Sequence, residues 1–212
     1  KNIDTAVVRV NSGTTNRTIC LATGNYRTGH APITTSSKVN GIQSMQNAQC
    51  WIKGSDVLHS SEWSYQGKGW VYNQSYVSSG YDQLFVDGVP YSQVYKSSEL
   101  ASGCFYVDGN SRRIYIGESA SWPIVNHTIE VSMRSYVLGN AVASNTKDSF
   151  YYKGIGFSHW SGDSRKLTNA TLRMSGENQS ISKVNFSYCA NNALDVTNST
   201  SIDISDCTFI AN

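Results

Sequence analysis

The sequence is short of charge and of proline. Asp, Glu, Lys and Arg make up 15% of its 212 residues, and proline occurs three times; an ordinary soluble domain carries about 25% charged residues. The formal net charge is +2 and the 17 basic residues are scattered. No Lys/Arg stripe exists, which argues against a nucleic-acid partner. No apolar run approaches the ~20 residues of a membrane span. No signal peptide is visible, although a mature chain beginning at Lys1 would have lost one. Five cysteines, Cys20, Cys50, Cys104, Cys189 and Cys207, form no CxxC pair and no Cys/His metal spacing. Their odd number leaves at least one unpaired within the chain, while an oxidising compartment would permit one or two disulfides. GxSxG, P-loop, dinucleotide-fingerprint, HExxH and EF-hand patterns are all absent. No long stretch repeats its apolar residues at the helical period, so little helix is expected.

What is present is uncharged polarity: 32 Ser, 15 Thr, 18 Asn and 13 Tyr. Such a surface suits sugars or dense self-packing better than anionic partners. Seven Asn-x-Ser/Thr triplets occur, at Asn16, Asn73, Asn126, Asn169, Asn178, Asn185 and Asn198. They read either as glycosylation sites of a secreted, extracellular or cell-surface protein, or as products of Asn/Ser-rich turns.

The last third carries a repeat. Tyr152, Ile155, Phe157 and Trp160 share one spacing with Ile181, Val184, Phe186 and Cys189, and with Ile204, Cys207, Phe209 and Asn212. Leu172-x-Met174 and Leu194-x-Val196 recur between them. Alternation such as Val184/Phe186 is a strand pattern. Strands returning every ~20–30 residues between polar turns predict stacked β-coils, none of which can bury its apolar face alone. Cys189 and Cys207 fall in core slots and read as small buried hydrophobes.

Upstream, three stretches are expected from the pattern. Residues 1–54 hold N-terminal strands and a first coil: Val7–Val10, Ile19/Leu21 ending at Gly24, and Cys50–Gly54. The polar stretch from His30 to Asn47 carries no assignable pattern. Residues 55–125 are rich in aromatics and hairpin-like. An Asp87-Gly88 turn sits between apolar residues, and Phe105/Val107 face Ile114/Ile116 across a loop at 108–111. This reads as an inserted antiparallel β-subdomain. Residues 126–212, opening on Ile129/Val131/Met133, hold the parallel rungs.

Leu21-x-x-Gly24-x-Tyr26, Trp51-Ile52-Lys53-Gly54, Leu84-Phe85-Val86-Asp87-Gly88-Val89-Pro90, Gln93-Val94, Gly103-x-Phe105-Tyr106-Val107-Asp108 and Arg113-Ile114-Tyr115-Ile116-Gly117 resemble the right-handed parallel β-helix repeat proteins of the pectate-lyase-like superfamily. The resemblance implies an all-β fold, a right-handed parallel β-helix with an inserted antiparallel β-hairpin subdomain. The hand also follows the general crossover preference. The family contains polysaccharide lyases, glycoside hydrolases, epimerases and adhesins. It therefore implies a polysaccharide or glycan partner and admits Ca²⁺; no cofactor is expected otherwise. Fold alone does not fix activity.

Four residues are candidates for chemistry. Asp195 and Asp203, with Asp206 nearby, alternate with apolar neighbours and so point outward. They read as paired carboxylates for glycoside hydrolysis, as hard-oxygen Ca²⁺ ligands, or as solvated surface groups. His159, beside Trp160, and Lys153, beside Tyr152, offer the base and cation that a lyase needs, or mark a turn around a packed ring. Trp63, Trp70 and Tyr72 offer rings for sugar stacking, or the core of the small subdomain. No acid–base pair lies on clearly neighbouring rungs. Two readings stay open: a carbohydrate-interacting domain, the N-terminal part of a lyase- or glycosidase-like protein, and a structural or adhesive module that self-associates through its coil ends.

Overall fold

In a computed structural model, residues 3–27, 37–78, 80–134, 148–163, 170–190 and 192–211 are described. Asn169 and Asn212 lie outside them. The chain opens with helix α1 (Asp4–Asn11), then β1 (Arg17–Leu21), β2 (Gly24–Arg27), β3 (Val39–Ser44), β4 (Cys50–Lys53) and β5 (Ser55–Leu58). Next come β6 (Trp63–Gln66), β7 (Gly69–Tyr72), β8 (Gly80–Tyr81), β9 (Leu84–Val86), β10 (Val89–Pro90), β11 (Ser92–Val94), β12 (Cys104–Asp108), β13 (Arg113–Ile116) and β14 (Ile129–Ser132). The remainder is β15 (Tyr151–Lys153), β16 (Gly156–Trp160), β17 (Gly162–Asp163), β18 (Ala170–Met174), β19 (Gln179–Ser182), β20 (Asn185–Cys189), β21 (Asn192–Val196), β22 (Ile202–Ser205) and β23 (Thr208–Ile210).

The expectation of a right-handed parallel β-helix with an inserted antiparallel β-hairpin subdomain is corrected, and so is that of parallel rungs restarting at Ile129/Val131/Met133. The described residues form six separate sheets: three parallel, two antiparallel and one mixed. Two five-stranded parallel sheets, β1-β3-β15-β19-β22 and β2-β4-β16-β20-β23, join the N-terminal strands to the C-terminal repeat. The strands between them do not continue these ladders. Asp87-Gly88 closes β9 onto β10, and β14 returns antiparallel to both β5 and β9. A second such region runs β11-β12-β13-β7-β6. A repeat read from one third of the chain does not extend through segments that pair with their own returning neighbours.

In the parallel sheets the repeat becomes register. Ile19, Ile42, Tyr152, Ile181 and Ile204 form one row, and Tyr26, Ile52, Phe157, Phe186 and Phe209 another. Both rows belong to one hydrophobic core except for their last members, Ile204 and Phe209, which are exposed on β22 and β23 at the sheet edges. The corner between the sheets is left-handed at matching positions: Gly154, Lys183 and Asp206 all have φ between 53° and 66°. A corner of this kind costs an L-residue about 1 kcal/mol or more, and it swings the chain from one sheet into the next within two residues.

The expected Val7–Val10 strand is also corrected: those residues lie in α1. Ile3 and Val7 are four residues apart and both buried, so they share one helix face against the same core. The second core, around Leu84, Phe105, Ile114, Ile116 and Val131, fills the antiparallel part. No helix among the described residues is long and apolar enough to cross a membrane.

Candidate functional site

The alternation Cys50–Trp51–Ile52–Lys53 sends Cys50 and Ile52 into the core and leaves Trp51 and Lys53 on the outer face of β4. Across that face, register places Asn25, Trp51, Gly156 and Asn185 in one row, and Arg27, Lys53, Ser158 and Ser187 in the next. Gly156 is needed there, because a Cβ would collide with the six-membered ring of Trp51. The indole thus lies across the strand beside it and borders two clefts, one of about 290 Å³ and one of about 310 Å³. The first is lined by Asn25, Trp51, Lys53, Ser158, Ser187 and Tyr188, with His159 at its back. Its lip is Gly88, from the turn between β9 and β10. Both the parallel and the antiparallel parts therefore build it.

Behind the cleft lies a buried charge cluster. Glu130, on β14, accepts hydrogen bonds from Arg27 Nη2 (2.7 Å), Lys53 Nζ (2.8 Å) and His159 Nδ1 (2.9 Å). Burial alone would push its carboxyl up. The hydrogen bonds from His159 and Lys53, with the Lys53 charge, outweigh that and hold it at about 2. His159 is pulled below the usual histidine range, first by burial and then by the Lys53 charge, against the pull of Glu130. The imidazole is thus neutral at neutral pH, with its Nδ1–H on the carboxylate. The Phe85 ring lies parallel to it at 3.6 Å, and the His159 backbone sits at φ 59°. The same left-handed φ recurs at the equivalent positions Tyr188 and Ala211, so it belongs to the repeating fold. Next to the cluster, Arg134 grips Asp56 through two bonds of 2.8 and 3.1 Å.

The sequence candidates are dispersed. His159 enters the cleft, but its cation is Lys53 and not Lys153. Lys153 is exposed on the other parallel sheet, beside a pocket that also includes Lys183. Asp195 is engaged by Arg173 at 2.7 Å on the small β18-β21 sheet. Asp203 is exposed on β22, opposite Ser180. The two carboxylates thus stand on different sheets. Trp63 and Tyr72 are buried and pack on each other at 5.3 Å, while the Trp70 indole donates to the Ser119 carbonyl at 3.0 Å. Asn16, Asn73, Asn126, Asn178, Asn185 and Asn198 are all exposed. None of the five cysteines is joined in a disulfide. Among the described residues, no group of three or more His, Cys, Asp or Glu is placed to hold a metal ion.

Sequence reasoning missed Trp51, Lys53 and Glu130. The signal for the first two was the alternation itself: with Cys50 and Ile52 inward, Trp51 and Lys53 must lie on the outer face. Glu130 had no such signal.

No protein-family model matches the chain, and no curated protein matches it. Solved structures do. One described as the complex of XylC with xylose aligns with a TM-score of 0.61 at 11% identity, over 87% of this chain and 39% of the other. Another, described as a glycoside hydrolase, aligns with a TM-score of 0.59 at 9% identity, over 87% of this chain and 60% of the other. Both neighbours are carbohydrate-related by description. At these identities the likeness shows the fold alone, and the chain spans less than two thirds of either neighbour's length.

Proposed function

We propose that the protein binds a polysaccharide or glycan across the outer face of β4 and β16, with Trp51 as the platform. The observation that carries this reading is the Trp51 indole laid over Gly156 and flanked by two clefts. A sugar ring presents an apolar C–H face and a polar edge. An indole supplies the matching apolar area, and Asn25, Lys53, Ser187 and Tyr188 supply donors and acceptors around it. The xylose in the XylC complex and the glycoside hydrolase description agree with a carbohydrate ligand. The exposed sequon asparagines suit an extracellular or cell-surface location.

The cleft as built favours holding a sugar over cleaving it. Carboxyl-based glycoside hydrolysis needs one group protonated near working pH. Glu130, at about 2 and bound by three cationic or imidazole donors, stays ionised. Asp56 is committed to Arg134.

Calorimetric titration of the full chain with xylo-, cello-, manno- and galacturono-oligosaccharides tests the reading. At least one should bind, and Trp51→Ala should weaken it by about tenfold or more, the equivalent of about 1.4 kcal/mol, with the melting temperature little changed. Binding unaltered in Trp51→Ala, or no binding by the whole panel at millimolar concentration, would overturn it.

A further inference from the structure

We propose a second, separate sugar site on the outer face of the mixed sheet, seated on Tyr106 and Tyr115. These residues are direct cross-strand partners in β12 and β13, so their side chains leave the sheet on the same side. That side is opposite to Phe105 and Ile116, which fill the antiparallel core. The two rings lie 5.7 Å apart at 38° and are half-buried. They make a shallow V, not a flat shelf. Neither hydroxyl has a hydrogen-bond partner among the described residues. A cleft of about 390 Å³ opens above them.

The walls are built, not accidental. On one side stands the turn from β6 to β7, Gln66 to Gly69, pinned by a 2.7 Å bond from the Tyr65 hydroxyl to the Gly67 carbonyl. Gly69 allows the turn to close in, since a Cβ there would strike the Ile116 carbonyl and crowd Leu100. On the other side stand Ser97 and Leu100. The rim carries an amide (Gln66), an ammonium (Lys68), a hydroxyl (Ser97) and a carboxylate (Asp108).

This chemistry matches one class of ligand. Two tilted rings seat a puckered ring with an apolar face better than a planar one, and the mixed rim matches hydroxyls pointing outward in several directions. Charge selects within that class. Lys68 and Asp108 share the rim, and the Asp108 carboxyl is held below its usual range by the Ser111 hydroxyl and the Asn110 amide and so stays ionised. One cation against one anion favours a neutral pyranose over a uronate or a phosphorylated sugar. A chain with two such seats would hold one polysaccharide at two points or bridge two strands, so its avidity would exceed the affinity of either seat.

The test uses the full chain in four forms and neutral xylohexaose, cellohexaose and mannohexaose as probes. Trp51→Ala should retain one class of site for at least one probe. Adding Tyr106→Ala and Tyr115→Ala should remove it. Should that variant fold poorly, Tyr106→Phe with Tyr115→Phe and Lys68→Ala, made in the Trp51→Ala background, keeps the rings and should still weaken binding by about tenfold. Loss of all binding in Trp51→Ala alone overturns this second site and leaves the Trp51 reading standing. Binding that survives in Trp51→Ala and ignores every tyrosine and lysine change overturns it as well. Binding removed by the tyrosine changes but untouched by Trp51→Ala supports the second site and overturns the first.

Discussion

The parallel and antiparallel parts of this chain pack aromatics in opposite ways. In the parallel sheets like stacks on like: Phe157, Phe186 and Phe209 occupy one row, with neighbouring rings 5.3 and 4.9 Å apart and within 22° and 5° of coplanar. In the antiparallel part rings meet in tilted pairs across neighbouring strands, Tyr106 with Tyr115 at 38° among them. Trp63 meets Tyr72 at 48° and Tyr65 meets Trp70 at 72°. A row member is covered above and below by its own repeat, so removing one leaves two faces unmatched. A cross-strand pair shares its burial between two residues and the rest of one compact core. The cleft sits where the two arrangements touch, through Glu130, Phe85 and Gly88.

The sharpest way to break the contrast is Phe186→Ala. It should cost about 4 kcal/mol, through lost burial and a cavity that stacked neighbours cannot fill. Tyr65→Ala, at the exposed member of a cross-strand pair, should cost a fraction of that. Denaturant unfolding of both variants measures the difference, and equal losses would mean that row stacking confers nothing special.

Glu130→Ala tests the junction itself. It leaves Lys53 and Arg27 facing each other without their shared carboxylate, at a cost of about 3 kcal/mol. The wild type should show the same link through pH. The Glu130 carboxyl, normally near 4.5, lies at about 2 when folded. A depressed carboxyl contributes stability that is fully present above the unfolded value and lost as pH falls through the folded one. Melting temperature should therefore decline between about pH 4.5 and pH 2, and this component of the decline should vanish in Glu130→Gln. A Glu130→Gln profile parallel to the wild type would dismiss the link.

The smallest effect belongs to Asp203→Asn. The residue is exposed on an edge strand, so stability should shift by less than about 0.5 kcal/mol and glycan affinity not at all. A clear change in either would restore Asp203 as a site residue.

Legibility in the sequence follows the same division. Rows such as Tyr152/Ile181/Ile204 could be read from spacing because each strand presents the same face to the same core. The Asp87-Gly88 hairpin could be read because its partners are adjacent in the chain. Helix α1 could not: eight residues show too little of a period to separate Ile3 and Val7 on one helix face from a short strand. Glu130 was hidden for a different reason. In Ile129-Glu130-Val131 it looks like the solvent side of a half-buried strand, yet β14 is buried on both faces. Its partners, Lys53 and Arg27, lie 77 and 103 residues away. Trp63 and Trp51 show the limit most plainly: Trp51 stands between Cys50 and Ile52, whose inward alternation turns it outward, whereas Trp63 stands between Glu62 and Ser64 with no flanking pattern to mark its ring as core.

The left-handed corners at Gly154, Lys183 and Asp206 also determine where the chain can change length. Each joins two strands through two residues, 154–155, 183–184 and 206–207. One residue gained or lost there would exchange the inward and outward sides of the following strand, sending Phe186 to water and Asn185 to the core. The spacing from Tyr152 to Trp160 is accordingly identical to that from Ile181 to Cys189, whereas Trp160 to Ile181 spans 21 positions and Cys189 to Ile204 spans 15. Insertions and deletions are thus confined to the far side of each turn of chain, away from the face that carries Trp51, and that face can keep its shape while the rest grows or shrinks.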